Sequence, residues 1–387
     1  MNLLETCDPI RLGERLRIAR SNADFKQDEA AKEIGVARTT LVAIEQGQRR
    51  PRPKELTQLA DLYRVSINDL LRSEAVHVDL IARFRRTADS DDRERASDDA
   101  MRMLTRLATS AAEIEARMGG RWSPSYPPEK PITAGPLEQQ AEDLALELRH
   151  RLGLGMTALT DVVSLAEVEI GIRVFFRPIS PTVSGAFVYD PSVGACILVN
   201  SNHAPDRQAM TIIHELGHFM VNRTTAEVYF GPGEISREER FVTAFSIAFM
   251  MPAAAVRVRF QEFVGQGSTF TIRHALLMAH SFGVSFEAMM RRLEGLKLIP
   301  AGTFDSLKDR GFSVEEARQK IGLEKRLPLL SRPPRSTLLA VEAHRRGIFS
   351  EGQLSEMLAL DRVQLREHLD SLGGDELNDE IPLAPPN

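Results

Sequence analysis

The segment His214-Glu215-Leu216-Gly217-His218 holds the residues of this chain best suited to chemistry. Two histidines four positions apart lie on one face of an α-helix, so both imidazoles can reach a single ion. The glutamate between them can take a proton from water activated at that ion. On a helix, H-E-x-x-H is the pattern of a zinc site with a general base for hydrolysis. The sequence therefore predicts His214 and His218 as Zn²⁺ ligands and Glu215 as the base, with a structural histidine pair as the alternative.

A third protein ligand is needed, because a hydrolytic zinc site takes three and keeps one position for water. The next helix is expected over 235–251, and its beginning carries Glu238 and Glu239. Helical phase does not choose between them, since apolar residues occupy nearly every face of that helix. A carboxylate in the first turn is also favourable for dipole reasons alone. One of the two glutamates is thus a candidate ligand and the other an ordinary terminal carboxylate.

The segment 206–252, with RQAMTIIHELGHFM followed by EERFVTAFSIAFMMP, resembles the ImmA/IrrE family of zinc peptidases. In that family the ligand glutamate precedes a motif that ends in aliphatic-Met-Pro, and counting back from Met251-Pro252 implies Glu239. Val242 and Ser246 stand where the family often has alanine, so the second half of the motif departs from the pattern. The resemblance implies a zincin-like metallopeptidase domain with a short sheet over 137–300. It also implies cleavage of repressor-type DNA-binding proteins.

Two short strands are expected upstream of the motif. They are predicted at 187–189 and 196–199, with a Pro/Gly turn between them. Such a hairpin could pair with an extended substrate segment, or it could simply cover the zinc helix. Downstream, Tyr229 is a candidate for stabilising an oxyanion.

The amino-terminal segment has helix-turn-helix spacing. Helices are predicted at 11–20, 27–34 and 37–46, with Gly35-Val36 as the turn between the second and the third. The stretch QDEAAKEIGVARTTLVAIEQGQRRPRPKELTQLADLYRVSINDLL is similar to the Xre/lambda-repressor family. This similarity implies a five-helix DNA-binding domain over 8–73 that binds a double-stranded operator as a homodimer.

In the docking geometry of that family the start of the third helix enters the major groove. The candidates for contacts with base edges are Arg38, Thr39 and Thr40. The candidates for phosphate contacts are Gln27, Arg49 and Arg50. The alternatives are a helix cap for the glutamine, surface threonines, and arginines of a solvated loop.

Composition bounds the remaining possibilities. The chain has 387 residues, of which 43% are hydrophobic, and a net charge of -5. This length suits two or three domains with buried cores, and any positive surface for nucleic acid must be local. Cys7 and Cys196 are too far apart for a disulfide framework. Without a signal peptide before Arg11 or an apolar run near 18 residues, we expect a cytoplasmic protein with no membrane partner.

The predicted fold class is mainly α with a small α+β part. We expect a helical connector and Pro/Gly-rich linker at 74–136, a small helical module at 301–374 and a disordered acidic tail at 375–387. The linker from Gly119 to Pro136 is extended enough to be a site of self-cleavage.

These predictions combine into one functional hypothesis. The chain is expected to be a DNA-binding transcription regulator with a zinc endopeptidase that cleaves a helix-turn-helix repressor, or itself, in a stress or mobile-element response. Its activity could require an activator. The alternative is a non-proteolytic regulator whose peptidase-like domain is a sensor or an interaction module.

Overall fold

The computed structural model describes residues 8–23, 25–63, 65, 67–71, 91–120, 124–159, 161–223, 227–229, 236–265, 269–323 and 334–372. The chain divides into two units, Met1–Ala82 and Arg83–Asn387. The predicted tail at 375–387 lies outside the described residues, as does the first part of the predicted connector.

Five helices form the described part of the first unit and confirm the predicted helical amino-terminal domain. They are α1 (Pro9–Asn22), α2 (Gln27–Glu33), α3 (Arg38–Glu45), α4 (Pro53–Tyr63) and α5 (Ile67–Leu71). The first begins where Asp8 accepts a hydrogen bond from the backbone N–H of Ile10, which satisfies one unpaired donor of the first turn. The turn between α2 and α3 contains Gly35 at φ 71°, a backbone conformation that glycine adopts without strain.

The core of this unit is small and depends on one close helix contact. A Cβ atom on Gly13 would lie 2.4 Å from the carbonyl oxygen of Ile44, so only glycine lets α1 approach the end of α3 this closely. The buried apolar side chains of the unit include Leu12, Leu16, Leu41, Ile44, Leu56 and Leu59.

The second unit contains thirteen described helices and four described strands. The helices are α6 (Asp91–Arg117), α7 (Leu137–Arg151), α8 (Val162–Ser164, followed by a π-helical turn at Leu165–Ile170), α9 (Pro205–Val221), α10 (Arg237–Met250), α11 (Ala253–Val264), α12 (Ile272–Phe282), α13 (Phe286–Gly295), α14 (Thr303–Asp309), α15 (Val314–Lys320), α16 (Arg335–Arg345), α17 (Glu351–Leu358) and α18 (Arg362–Leu372). The strands are β1 (Arg173–Arg177), β2 (Gly185–Asp190), β3 (Gly194–Asn200) and β4 (Glu227–Tyr229).

The four strands form one mixed sheet in the order β1-β3-β2-β4. β1 runs parallel to β3, whereas β2 is antiparallel to both β3 and β4. The predicted hairpin is therefore β2 and β3, and each of its strands has its outer edge paired with a further strand. β4 pairs with 185–187 of β2 only, so pairing of an extended substrate with the rest of the β2 edge stays a prediction.

Helices cover both faces of the sheet. Successive side chains of a strand point to opposite faces, so each strand contributes to both packing layers. Val174, Phe187 and Ile197 face the main core, which they share with α7, α9 and α10. Arg173, the residue before Val174 on β1, points to the other face of the sheet, where it binds Glu115 of α6. The sheet is thus a buried layer between the H-E-x-x-H helix and α6.

Helix α6 packs against the sheet and against the three last described helices. Its Ile114 shares a core with residues of α16 and α17, among them Ala340 and Leu354. The sequence suggested a connector here, but the apolar face of α6 is buried within the second unit. The predicted carboxyl-terminal module also divides, since α14 and α15 pack on the main core through Phe304 and Phe312.

No single helix of the described residues is long and apolar enough to cross a membrane. Helices α10 and α11, bent by 50° at their junction, meet the requirement of length and composition only as a pair. Within the described structure Phe249 and Val256 of this pair lie in the main core.

Candidate metal centre

The histidines of the motif lie on a helix that is buried along most of its length. α9 begins at Pro205, where proline suits the first helical position, and its apolar face packs under the sheet. The exposed fraction is 2% for His214, 1% for His218 and 0% for Glu215. The polar centre of α9 is therefore held inside an apolar core, where polar groups need specific partners.

Glu239 lies between the two imidazoles. Its Oε2 is 3.2 Å from His214 Nε2, and its Oε1 is 3.3 Å from His218 Nε2. The three side chains each offer a ligand atom within 4.8 Å of the others. The structure thus brings together His214 and His218 from α9 with Glu239 from α10.

Glu238 lies beside the imidazole of His218, on a different side from Glu239. Its Oε1 is 3.3 Å from Nδ1 of His218, the nitrogen on the far side of the ring from Glu239. Of the two glutamates that helical phase could not separate, Glu239 joins the three-residue group and Glu238 contacts His218 from outside it.

The approach of α9 to α10 depends on Gly217. A Cβ atom at this position would lie 2.7 Å from Val242 Cγ1 and 3.1 Å from Phe245 Cδ1. Any larger residue would push the two helices apart. The glycine within the motif therefore determines how far Glu239 can reach toward the histidines.

Glu215 lies beside the start of β2. A Cβ atom on Gly185 would come 3.3 Å from Glu215 Oε1 and 2.5 Å from Thr211 Cγ2. The missing side chain at Gly185 leaves room for the carboxylate against the sheet. Sequence reasoning missed this residue, although a glycine inside a strand pattern is a signal of close approach. Tyr229 ends β4, and its side chain lies outside the described part of the structure.

The electrostatics of the group suit a divalent cation. Burial lowers the pKa of His214 below its usual value, which favours the neutral imidazole. Burial would raise the pKa of Glu239, but its close interactions with His214 and His218 outweigh burial and lower that pKa. Neutral imidazoles and an ionised carboxylate are the forms in which these groups bind metal.

The donor set also fits zinc by type and spacing. Zinc accepts imidazole nitrogen and carboxylate oxygen at about 2.0–2.2 Å, so two tetrahedral ligands lie about 3.3 Å apart. The separations of 3.2 Å from His214 to Oε2 of Glu239 and 3.3 Å from His218 to its Oε1 are close to this spacing, each to a different carboxylate oxygen. His214, His218 and Glu239 could therefore hold one Zn²⁺ ion.

The described part of the predicted linker runs along the ends of α9 and α10. Lys130 N donates to Met220 O at 2.7 Å, and Arg237 Nη2 donates to Thr133 O at 2.8 Å. Tyr126 packs edge-on against Phe219 with the ring centroids 5.0 Å apart. Residues 124–136 are thus fixed on the second unit beside the metal-binding group.

The predicted DNA-contacting residues of the first unit differ in how they are engaged. Gln27 Nε2 donates to Glu45 Oε2 at 2.8 Å, and Arg20 Nε binds the same carboxylate at 2.7 Å. The Arg38 side chain is 63% exposed and lies 3.0 Å from Asp28. Thr39 is exposed and Thr40 is half-buried.

The two arginines after α3 are engaged differently from each other. Arg49 forms a bidentate pair with Glu55, with distances of 2.9 and 3.0 Å, and the backbone N–H of Arg52 donates to the same carboxylate. Arg50 is exposed. Arg49 therefore closes the loop between α3 and α4.

Comparisons with known proteins bear on both units. Residues 11–73 match the model of a helix-turn-helix domain family, and residues 168–294 match the model of the IrrE N-terminal-like domain, a peptidase family. The second match includes the whole three-residue group. It indicates a metallopeptidase-like domain and confirms the resemblance inferred from the motif.

Several curated relatives are regulators or phage proteins. The chain is 31% identical over 85 residues to the cryptic phage CTXphi transcriptional repressor RstR of Vibrio cholerae, covering 21% of this chain and 77% of the relative. It is 37% identical over 65 residues to the HTH-type transcriptional regulator ImmR of Bacillus subtilis, covering 17% of this chain and 51% of the relative. It is 36% identical over 67 residues to the ImmF control region 10 kDa protein of Bacillus phage phi105, covering 17% of this chain and 74% of the relative.

The five-helix unit, its family match and these relatives agree with one another. Most of the chain lies outside the aligned regions of the relatives, and the IrrE-type match accounts for the central part of it. The chain therefore belongs to the helix-turn-helix transcriptional regulators, and it carries a metallopeptidase-like domain of the IrrE type.

Proposed function

We propose that this protein is a DNA-binding transcription regulator with a zinc-dependent endopeptidase that cleaves a helix-turn-helix repressor. The observation that carries the proposal is the position of Glu239, which lies within 3.3 Å of Nε2 of both His214 and His218 while Glu215 is buried beside them. A purely structural zinc site has no use for that fourth side chain.

The roles of the residues follow from their chemistry. His214, His218 and Glu239 would hold the ion, which would polarise the scissile carbonyl and make water more acidic. Glu215 would take the proton of the attacking water and pass it to the leaving amine. Gly185 keeps the adjacent strand from displacing that carboxylate, because a Cβ there would lie 3.3 Å from Glu215 Oε1.

A repressor in trans is a better substrate than the linker. Self-cleavage within 124–136 would need this segment to leave its hydrogen bonds with Met220 and Arg237. The relatives include a phage repressor and a phage control-region protein, which supports a response linked to mobile elements. Bound to the same operator, the repressor would be presented to the peptidase at high local concentration.

The test uses the full chain loaded with Zn²⁺ and incubated with repressors encoded near its gene. Glu215→Gln should abolish cleavage, measured by mass spectrometry of the products, and should leave zinc content and operator binding unchanged. Glu169→Gln is the control, because Glu169 is an exposed glutamate of the π-helical turn. Cleavage by the Glu215 variant at the wild-type rate would disprove the peptidase proposal.

Operator binding is tested separately. Arg50→Ala should weaken binding of double-stranded DNA and reduce the salt slope by about 1, as expected for the loss of one phosphate contact. Thr39→Ala should instead change the preference among sequences, since it removes a candidate base contact. Unchanged binding in both variants would contradict the predicted interface. A homodimer is expected on a palindromic operator, and sedimentation of the complex measures it.

Near-complete burial of the histidines favours a second candidate function. With exposed fractions of 2% and 1%, these side chains offer a peptide limited access, as a non-proteolytic sensor domain would. In that case zinc would bind and operator affinity would depend on it, while no repressor would be cleaved by the wild-type protein.

A further inference from the structure

We propose that Glu238 is a positioning residue that holds the imidazole of His218 in the tautomer needed for metal binding. The inference deepens the proposed function and rests on its metal site. It assigns a role to the glutamate that the sequence left as an ordinary helix-terminal carboxylate.

The two nitrogens of His218 face different carboxylates. Nδ1 lies 3.3 Å from Glu238 Oε1, and Nε2 lies 3.3 Å from Glu239 Oε1. A neutral imidazole carries its proton on one nitrogen only. A carboxylate that accepts the Nδ1 proton leaves the lone pair of Nε2 directed at the site between His214 and Glu239.

Helix α10 supplies both carboxylates from one turn. Consecutive residues of an α-helix differ by about 100° around its axis, so Glu238 and Glu239 can reach opposite sides of one ring. The turn itself is fixed by Ser236, whose hydroxyl accepts a hydrogen bond from the backbone N–H of Glu239 at 3.1 Å.

Shielding from solvent makes this contact more than an incidental surface pair. The side chain of His218 is 1% exposed and that of Glu238 is 20% exposed. A hydrogen bond in such surroundings is stronger than one in water. Carboxylates that orient a metal-binding histidine in this way typically change metal affinity or activity by about 10–100-fold when removed.

The experiment compares full-length wild type with Glu238→Ala and Glu238→Gln. Zn²⁺ affinity is measured by competition with a chromophoric chelator, and the tautomer of His218 in the metal-free protein by ¹⁵N NMR of its ring. Alanine should weaken zinc binding by about 10–100-fold and shift the proton toward Nε2. Glutamine should restore much of the affinity, because its carbonyl oxygen still accepts the Nδ1 proton.

Glu287→Ala is the matched control, since Glu287 is an exposed glutamate in the first turn of α13. It should change neither the affinity nor the tautomer. If Glu238→Ala leaves both at wild-type values while the wild type binds zinc, the inference is overturned and the metal site stands. If the wild type binds no zinc, the proposed function fails, and the tautomer measurement alone decides the role of Glu238.

Discussion

Glu115 and Arg173 form a buried ion pair in which Glu115 Oε2 lies 2.5 Å from Arg173 Nη2. The side chains are 7% and 6% exposed. Arg335 Nε lies 3.6 Å from the other oxygen of the same carboxylate. One glutamate of α6 thus links the first strand of the sheet to the first helix of the carboxyl-terminal cluster.

Replacing Glu115 by glutamine should destabilise the second unit strongly. The substitution leaves the guanidinium of Arg173 buried without an opposing charge, and breaking a buried pair in this way costs about 3–5 kcal/mol. The free energy of unfolding in urea measures the loss. Glu342→Gln is the control, because its pair with Arg346 is exposed and should contribute at most about 1 kcal/mol. Similar small losses in both variants would show that the buried pair is not needed.

Gly217→Ala should destabilise the fold and weaken zinc binding together. Alanine raises helix propensity by about 1 kcal/mol relative to glycine, but overpacking against Val242, 2.7 Å from the added Cβ, costs about 1–3 kcal/mol. The displacement of α10 should also carry Glu239 away from the histidines. Thermal unfolding and chelator competition measure the two effects.

The control for that substitution is Gly295→Ala at the end of α13, where nothing lies within 4 Å of an added Cβ. It should leave zinc affinity unchanged and should not lower the unfolding temperature. A Gly217 variant that is more stable than wild type and binds zinc equally well would contradict the close approach of α9 and α10.

The ion pair of Arg49 and Glu55 should stabilise the first unit only above acid pH. The hydrogen bonds from Arg49 lower the pKa of Glu55 from its usual value of 4.5. A lowered folded-state pKa contributes stability that is present above pH 4.5 and is lost as the pH falls through the lowered value. We therefore expect wild type to unfold at higher urea than Glu55→Gln at pH 7, with the difference shrinking toward pH 3. A difference independent of pH would exclude this linkage.

Arg177 should hold the carboxyl-terminal helices on the sheet. Its Nε donates to Leu358 O, the last residue of α17, at 2.8 Å, and burial lowers the pKa of its guanidinium to about 10. Arg177→Met keeps the apolar stem but leaves that carbonyl without its donor, at a cost of about 1–3 kcal/mol. Hydrogen exchange should become faster in 351–372 and stay unchanged in α9. Equal protection in wild type and variant would argue that the apolar core alone holds this cluster.

The local parts of the candidate site follow from the sequence. His214 and His218 share a helix face because positions four apart always do, and the first-unit helices follow from apolar period and turn residues. Helical phase did not separate Glu238 from Glu239, because that choice depends on the distance between α9 and α10; only the family resemblance pointed to Glu239. The close contact of Gly217 with Val242 sets that distance. The periodicity of a sequence does not reveal contacts between helices.

Helix α6 shows the same limit at a larger scale. In the sequence Glu115 is one charge among many on an amphipathic helix, and its partner Arg173 lies 58 positions away. A charge run of this kind is typical of a solvated face. Burial of the pair arises only when the sheet has formed, so α6 was assigned to a connector.

Because α6 shares a core with α16, α17 and α18, the second unit can complete its folding only after these last helices have been synthesised. A ribosome adds about 5–20 residues per second, and domains generally fold as units from the amino terminus. The helices of the first unit, complete by Leu71, can fold while the ribosome is still translating the remainder. The time between the synthesis of Glu115 and that of Arg335 is on the order of ten seconds or more at this rate. Each newly made molecule should therefore complete its helix-turn-helix unit before its metallopeptidase-like domain.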